Sequence, residues 1–348
     1  MATKTGREIV VGLKKATAWG TAVACGAGDG ILVEEVGIKK TSALLPDKSA
    51  ASPYSKGADK GLDTAGGPLS GVLRFQGFDT ALALFMGSAA APAQIGETDA
   101  YTGKLSLADS VKGQFATLAN LIMSDRVHEF PGVKITGVTI SGERGAPCKI
   151  AFTTIADDEV YASIINTSTT MGSVTYPDAG NRAIFTSSCY FRMNAQGGDA
   201  LSATDNIYPS SFEISMARTM EGDPTGTGNT IDEPDETDDA VFTITLNFPK
   251  LNDANKGYFA DWDAATAKKL EIGLIGKVCS GANLYSMIFR FPHILIDDAE
   301  SIVSGSGKIP HKLVLNGYGV TAAVAGMTGL LHPVEIETIN TRTTSPLA

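Results

Sequence analysis

What this chain of 348 residues lacks already narrows its function. It has no run of about 20 apolar residues, the length a membrane-crossing helix needs. The opening segment, Met1 to Leu13, places Lys4, Arg7 and Glu8 ahead of any apolar pair, which is unlike a secretory leader. A soluble protein made without a signal, with no membrane insertion, is expected. Cysteine is scarce: Cys25, Cys148, Cys189 and Cys279 lie far apart, without the close pairs of a zinc knot or redox motif. They read as small apolar residues in a reducing compartment. Cations are too few for a nucleic-acid reader, because Lys and Arg number 28 against 38 Asp and Glu, a net charge of -10, and phosphate binding needs clustered positive charge. The four histidines, His128, His293, His311 and His332, never stand two to a helical turn and have no carboxylate at ligand spacing. No metal site is expected from them, and His293 and His311 read as hydrogen-bonded residues facing solvent or an interface.

What is present is apolar alternation of period two, the mark of strands with one buried and one wet face. In Ala240 to Phe248, Phe242, Ile244, Leu246 and Phe248 share one face, while Thr243, Thr245 and Asn247 share the other. Leu69 to Phe75, Phe185 to Met193, Phe212 to Met216, Met287 to Phe291 and Lys312 to Tyr318 repeat the pattern between turn residues. Two helices are expected, Phe78 to Met86 and Asn255 to Lys269. The second carries Tyr258, Phe259 and Trp262 as an apolar stripe, which places Trp262 in the core. The chain is mainly β.

Internal similarity runs through it. Ile140-Ser141-Gly142, Pro147, Lys149-Ile150 and Phe152 recur with the same spacing as Val303-Ser304-Gly305, Pro310, Lys312-Leu313 and Leu315, at an offset of 163. Phe130-Pro131-Gly132-Val133 resembles Phe291-Pro292-His293-Ile294 at an offset of 161. Val36 to Thr41 resembles Ile214 to Thr219, and Leu73-Arg74-Phe75 resembles Leu246-Asn247-Phe248, each ahead of later matches in the same order. Two diverged copies of one unit are therefore expected. The boundaries are an N-terminal arm at 1–30, a first unit at 31–160, a linker at 161–181, a second unit at 182–325 and a C-terminal arm at 326–348. Thr41 to Gly67 reads as a long polar loop whose counterpart is Met220 to Asp239, and loops of that length are seldom idle.

No catalytic constellation emerges. Ser304-Gly305-Ser306-Gly307-Lys308 fails as a phosphate loop, because Ile302 stands where its first glycine belongs and Ile309 replaces the hydroxyl after the lysine. Gly26, Gly28 and Gly30 are too closely spaced for a dinucleotide fingerprint. The acidic run Asp232, Glu233, Asp235, Glu236, Asp238 and Asp239 lacks the glycine that turns a calcium loop and reads as a solvated, self-repelling loop. No enzyme and no cofactor are expected.

The segment Gly12-Leu13-Lys14-Lys15-Ala16-Thr17-Ala18-Trp19-Gly20-Thr21-Ala22, the stretch from Gly71 to Gly87, the Phe130 to Phe152 hairpin and the strand Ile214 to Arg218 with its long loop together resemble the tail tube proteins of long-tailed bacteriophages. The resemblance spans most of the chain through loose strand, turn and helix patterns. It implies tandem β-sandwich or barrel-like units, each flanked by one helix, whose strands join neighbouring subunits into rings stacked around a DNA-conducting channel. With six units per ring, a two-unit chain closes as a trimer with pseudo-sixfold geometry. Implied partners are other copies of the chain, a tape measure, a tail terminator and baseplate proteins, with DNA passing unbound; the implied location is the virion tail, after assembly in the host cytoplasm. Loops and arms crossing between subunits and rings make Lys14, Trp19, Leu45, Pro46, Tyr54, Lys56, Met220, Asp223 and His332 candidate contacts. The acidic run becomes a candidate lumen or loop charge that denies DNA its phosphate contacts. A baseplate or capsid-decorating protein, or a carbohydrate-binding sandwich, is the alternative. Only Trp19 and Trp262 could serve the last as indole platforms.

Overall fold

The alternating segments become strands because each can bury one face and wet the other. A computed structural model describes residues 6–348 except 49–52, 56, 123–125, 178–179, 225–229, 302 and 304–305. The first half of the chain runs β1 (Val10–Lys15), β2 (Glu35–Val36), β3 (Lys39–Pro46), β4 (Ala58–Val72), α1 (Asp79–Met86), β5 (Gly87–Ala89), β6 (Ala93–Gln94), β7 (Tyr101–Leu107), β8 (Ala116–Leu121), β9 (Val127–Glu143), β10 (Lys149–Ala156) and β11 (Val160–Tyr161). After α2 (Ser168–Gly172), the second half runs β12 (Tyr190–Ala195), β13 (Asn206–Ile207), β14 (Ser211–Ala217), β15 (Met220–Glu221), β16 (Asp235–Glu236), β17 (Val241–Phe248), α3 (Tyr258–Asp263), β18 (Lys268–Ser280), β19 (Asn283–Glu300), β20 (His311–Tyr318) and β21 (Glu335–Asn340). The protein is mainly β. All the described strand pairs are antiparallel; one large apolar core runs through both halves, with a smaller cluster of Cys25, Ala119, Val127, Met171 and Val174 beside it.

The two halves pair their strands in the same order. In the first, the order is β1, β8, β9, β10, β4, then β2 with β3. In the second it is β12, β18, β19, β20, β17, β14. The irregularities coincide as well. Ala116 faces Val133 and Leu118 faces Phe130, so Thr117 is skipped; Lys268 faces Ile294 and Leu270 faces Phe291, so Lys269 is skipped. Thr153 faces Gly137 and Thr154 faces Ile135, so Thr136 is skipped; Val314 faces Asp298 and Leu315 faces Ile296, so Asp297 is skipped. Bulges reaim a side chain, and both members of the first pair use theirs alike. Thr117, fully buried, accepts the Val23 amide at 3.0 Å, and Lys269, fully buried, donates to the carbonyls of Gly198 and Ala325 at 2.8 and 3.1 Å.

These pairings refine the similarities seen in the sequence. Phe130 to Val133 and Phe291 to Ile294 do occupy the same place. The phrase at an offset of 163 does not: Ile140 lies in β9 opposite Ile150, whereas Val303 lies past the end of β19 and is exposed. The place matching Lys149 and Ile150 is held by Pro310 and His311. Likewise Val36 matches Phe212, each facing its matched leucine, Leu69 or Leu246. A slip by an even number of residues preserves the buried face, so alternating strands resemble one another in the wrong register.

Several expectations are corrected. Thr41 to Pro46 and Ala58 to Gly67, expected as parts of a loop, are the arms of the β3–β4 hairpin, in which Thr41 faces Thr64 and Pro46 faces Ala58. The N-terminal arm contains β1, with Val11 and Leu13 in the core, and the C-terminal arm contains β21, clamped between β19 and β7. The linker contains α2 and buries Asn166 and Met171. Helix α1 is close to expectation and ends at Gly87, whose φ of 84° lets its amide reach the Ala83 carbonyl. Helix α3 is much shorter than its alanine content suggested, because Lys268 already belongs to a sheet strand paired on both sides. Trp262 is 46% exposed, outside the core, with its indole donating to the Asp297 carbonyl at 2.9 Å. His311 faces neither solvent nor an interface: it is buried among Phe248, Tyr258 and Phe259, and its Nδ1 is 2.8 Å from the Ser301 hydroxyl.

Candidate functional site: a two-faced sheet with two open edges

The two halves are fused through their sheets. The C-terminal part of β9 pairs with β10 on one side and with β14 on the other, from Gly137 opposite Ala217 to Glu143 opposite Ser211. One sheet thus runs β2 with β3, β4, β10, β9, β14, β17, β20, β19. Its faces are sharply different. Leu69, Ile150, Phe152, Val138, Ile140, Ile214, Ile244, Leu246, Leu313 and Ala299 enter the core. The other face carries Thr139, Ser141, Ser215, Thr243, Thr245, Asn247 and Asn316, together with the carboxylates Glu35, Glu143, Glu213, Asp298 and Glu300 and the ammonium groups of Lys39, Lys149 and Lys312. The uncovered face is therefore mostly polar, with Ala151, Val241, Leu295 and Val314 as apolar members, and acidic groups outnumber basic ones among its charges. The sequence alternation signalled each strand's wet side, but not that these sides align across both halves.

Two edges of this sheet have no strand partner among the described residues. On the first, β2 and β3 pair only with β4; on the second, β19 from Asp297 to Glu300 pairs only with β20. Exposed edges invite uncontrolled association unless something covers them. Here side chains take the backbone groups: the Lys40 amide donates to the Glu159 carboxylate at 3.0 Å, and the Asp297 carbonyl accepts the Trp262 indole. Around the first edge, the carboxylates of Asp158 and then Asp63 hold the Lys40 ammonium above its ordinary range. Asp63 in turn is held well below the usual carboxylate range by Lys60, the Ser42 hydroxyl and Lys40.

The connection from Arg218 to Ala240 folds back over the first half as a strap, pinned by the short pairing of β15 with β16. Its acidic run is not a self-repelling loop. Glu233 meets the buried Lys134 ammonium at 2.7 Å and accepts the Gly113 amide at 2.6 Å; Glu236 pairs with the buried Arg218 guanidinium; Asp235 pairs with Lys112 at 3.3 Å. Arg218 also donates to the Ala108 carbonyl at 2.9 Å and lies over the Phe85 ring. Lys134 and Arg218, which hold the strap, are the residues that sequence reading missed, because a lone cation within or just past a strand gives no sign of its distant partner.

The remaining candidates scatter. Lys14 bonds the Ala24 carbonyl at 3.1 Å and stands 3.5 Å from Asp29. Trp19 stacks edge-on against Phe115 and donates to the Ile231 carbonyl at 3.1 Å, so it fastens the strap within its own chain. Met220 is buried, while Asp223 and Asp232 exchange backbone and side-chain bonds at the strap's exposed turn. Leu45, Pro46 and Tyr54 are exposed on the β3–β4 hairpin, and Lys56 lies outside the described residues. His332, 3.8 Å from Asp109, shares one surface depression with Glu236, Asp238, Asp239 and Arg218.

The sequence model of the phage tail tube protein family matches residues 6–309, and the chain belongs to that family. No curated protein matches it. Its role is that of a structural component of the phage tail.

Proposed function

We propose that this member of the phage tail tube family polymerises as stacked rings around a channel that conducts DNA into the host cell. The observation that carries the reading is the two-faced sheet, which crosses both halves with one face polar and both lateral edges open. The matched pairing order and bulges support a tandem duplication of one tube unit. A chain bearing two units then closes with three copies, keeping pseudo-sixfold geometry. Three such sheets joined edge to edge make a closed barrel, which removes the open edges. With more strands than the 16–18 of porins, whose barrels already hold an aqueous channel, it leaves a wide lumen.

The polar face lines that lumen. Its carboxylates repel phosphate, so DNA slides without the counterion release that makes it stick. The role is structural and not catalytic; the other partners are tape measure, terminator and baseplate proteins, with assembly in the host cytoplasm. Negative-stain microscopy and mass measurement of purified protein test the reading. Tubes with a regular axial repeat, built from trimer multiples, are expected; discrete trimers that never stack favour a baseplate or decoration protein, and six chains per ring contradicts the two-unit count.

A further inference from the structure

The junction between the halves is a template for the junction between copies. In it, Arg218 donates its amide to the Thr136 carbonyl at 2.8 Å and Arg144 donates to the Ser210 carbonyl at 2.9 Å, so even-numbered residues of β14 aim their backbone groups at β9. Each side of this junction has a match at one of the open edges. Residues of β9 match those of β19, as Gly137 facing Thr153 matches Asp298 facing Val314. Residues of β14 match those of β2 and β3, as Phe212 facing Leu246 matches Val36 facing Leu69.

Resting on the ring reading above, we propose that β19 of one copy adds antiparallel to β2 and β3 of a second copy in the register inherited from the internal junction. Ile38 then lies opposite Ser301, Lys39 opposite Glu300, Lys40 opposite Ala299 and Thr41 opposite Asp298. Three independent features fit. Charge is complementary, since Lys39 and Glu300 share the polar face and meet at a non-hydrogen-bonded site, where side chains approach most closely. The Asp297 carbonyl, matching the Thr136 carbonyl that accepts Arg218, is held by the Trp262 indole. The Ser42 amide of the second copy takes its place, as the Ala299 carbonyl takes the Lys40 amide from Glu159. Beyond the seam, Leu44 occupies the place of Met220; Met220 is buried, whereas Leu44 is 70% exposed. The second copy's neighbour covers it.

The test is crosslinking of the full chain after assembly. Lys39→Cys with Glu300→Cys, oxidised in tubes, gives covalent three-chain circles on non-reducing gels, because the Cα separation of about 4.5 Å at a non-hydrogen-bonded antiparallel site lies within the span of a disulfide. Wild type and the single variants set the background, and Lys39→Cys with Asp298→Cys, slipped by two residues, stays near it. Tubes that crosslink through the slipped pair overturn the register, and tubes that crosslink through neither overturn the edge assignment while the tube reading stands. Wild type that forms no tubes overturns that reading itself. Should the cysteine variants not assemble, charge exchange decides: Lys39→Glu or Glu300→Lys alone slows assembly about tenfold, and the two together restore it. Failure of the double variant to recover overturns the register.

Discussion

The β3–β4 hairpin and the strap between β14 and β17 are the same connection in the two halves, yet one projects and the other is docked. The strap lies on its own first half, buries Met220, and sets Glu233 and Glu236 against Lys134 and Arg218. The hairpin keeps its register for most of its length but leaves Leu44, Leu45, Leu62 and Tyr54 exposed. The difference follows from position in the chain. The second half has the first as its neighbour, so its connection finds a surface at once; the first half's edge has no strand partner among the described residues, and on the proposed ring reading another copy supplies it. An exposed apolar hairpin is then what an unassembled subunit shows.

Four outcomes break or sharpen this contrast. The largest is expected at the strap's buried charge: Glu233→Ala leaves Lys134 with only the Pro234 carbonyl and costs about 2 to 4 kcal/mol in urea unfolding, somewhat less than a fully buried pair because Glu233 keeps some solvent. A loss under about 0.5 kcal/mol would mean that the strap is not held by this pair. Next, Met220→Ala lowers the stability of the isolated chain by about 2 kcal/mol, while Leu44→Ala at the matching place changes it by less than about 0.5 kcal/mol. Equal effects would remove the contrast between buried and waiting positions.

A third outcome uses the site where one half carries His311 and the other Ile150. Burial lowers the His311 pKa, so its contribution is fully present above the ordinary histidine value and is lost as pH falls from about 6.5 through the lowered folded value. His311→Ile flattens the fall in melting temperature between pH 7 and pH 5; an unchanged slope assigns the acid sensitivity elsewhere. The smallest effect on the isolated chain comes from Leu44→Asp, within about 0.5 kcal/mol of wild type. The same variant is expected to stop tube growth, read by light scattering and microscopy, and normal tubes would show that the hairpin stays outside every contact.

How much was legible depended on what a short stretch can encode. The strand of Val241 to Phe248, helix α1 and the likeness of the Phe130 and Phe291 segments were readable because alternation, helical spacing and a short Phe-Pro phrase are local. Met220 was singled out, but as a contact to another copy and not as a residue its own chain buries. The acidic run was seen as charge without partners, since Lys134 and Arg218 are brought to it only by folding. The short α3 and the exposed Trp262 went against local propensity, because pairing of Lys268 in the sheet outweighs the alanines before it.

By itself the sequence determined the β class and the wet and dry faces of its strands, because side-chain alternation acts over a few positions. Register, the fusion of two halves into one sheet, and the identity of the edges left open were decided only by the tertiary structure. A slip of two residues keeps every side chain on its face, so alternation alone cannot choose among registers, and the choice falls to the turns, bulges and buried partners that meet when the chain closes on itself.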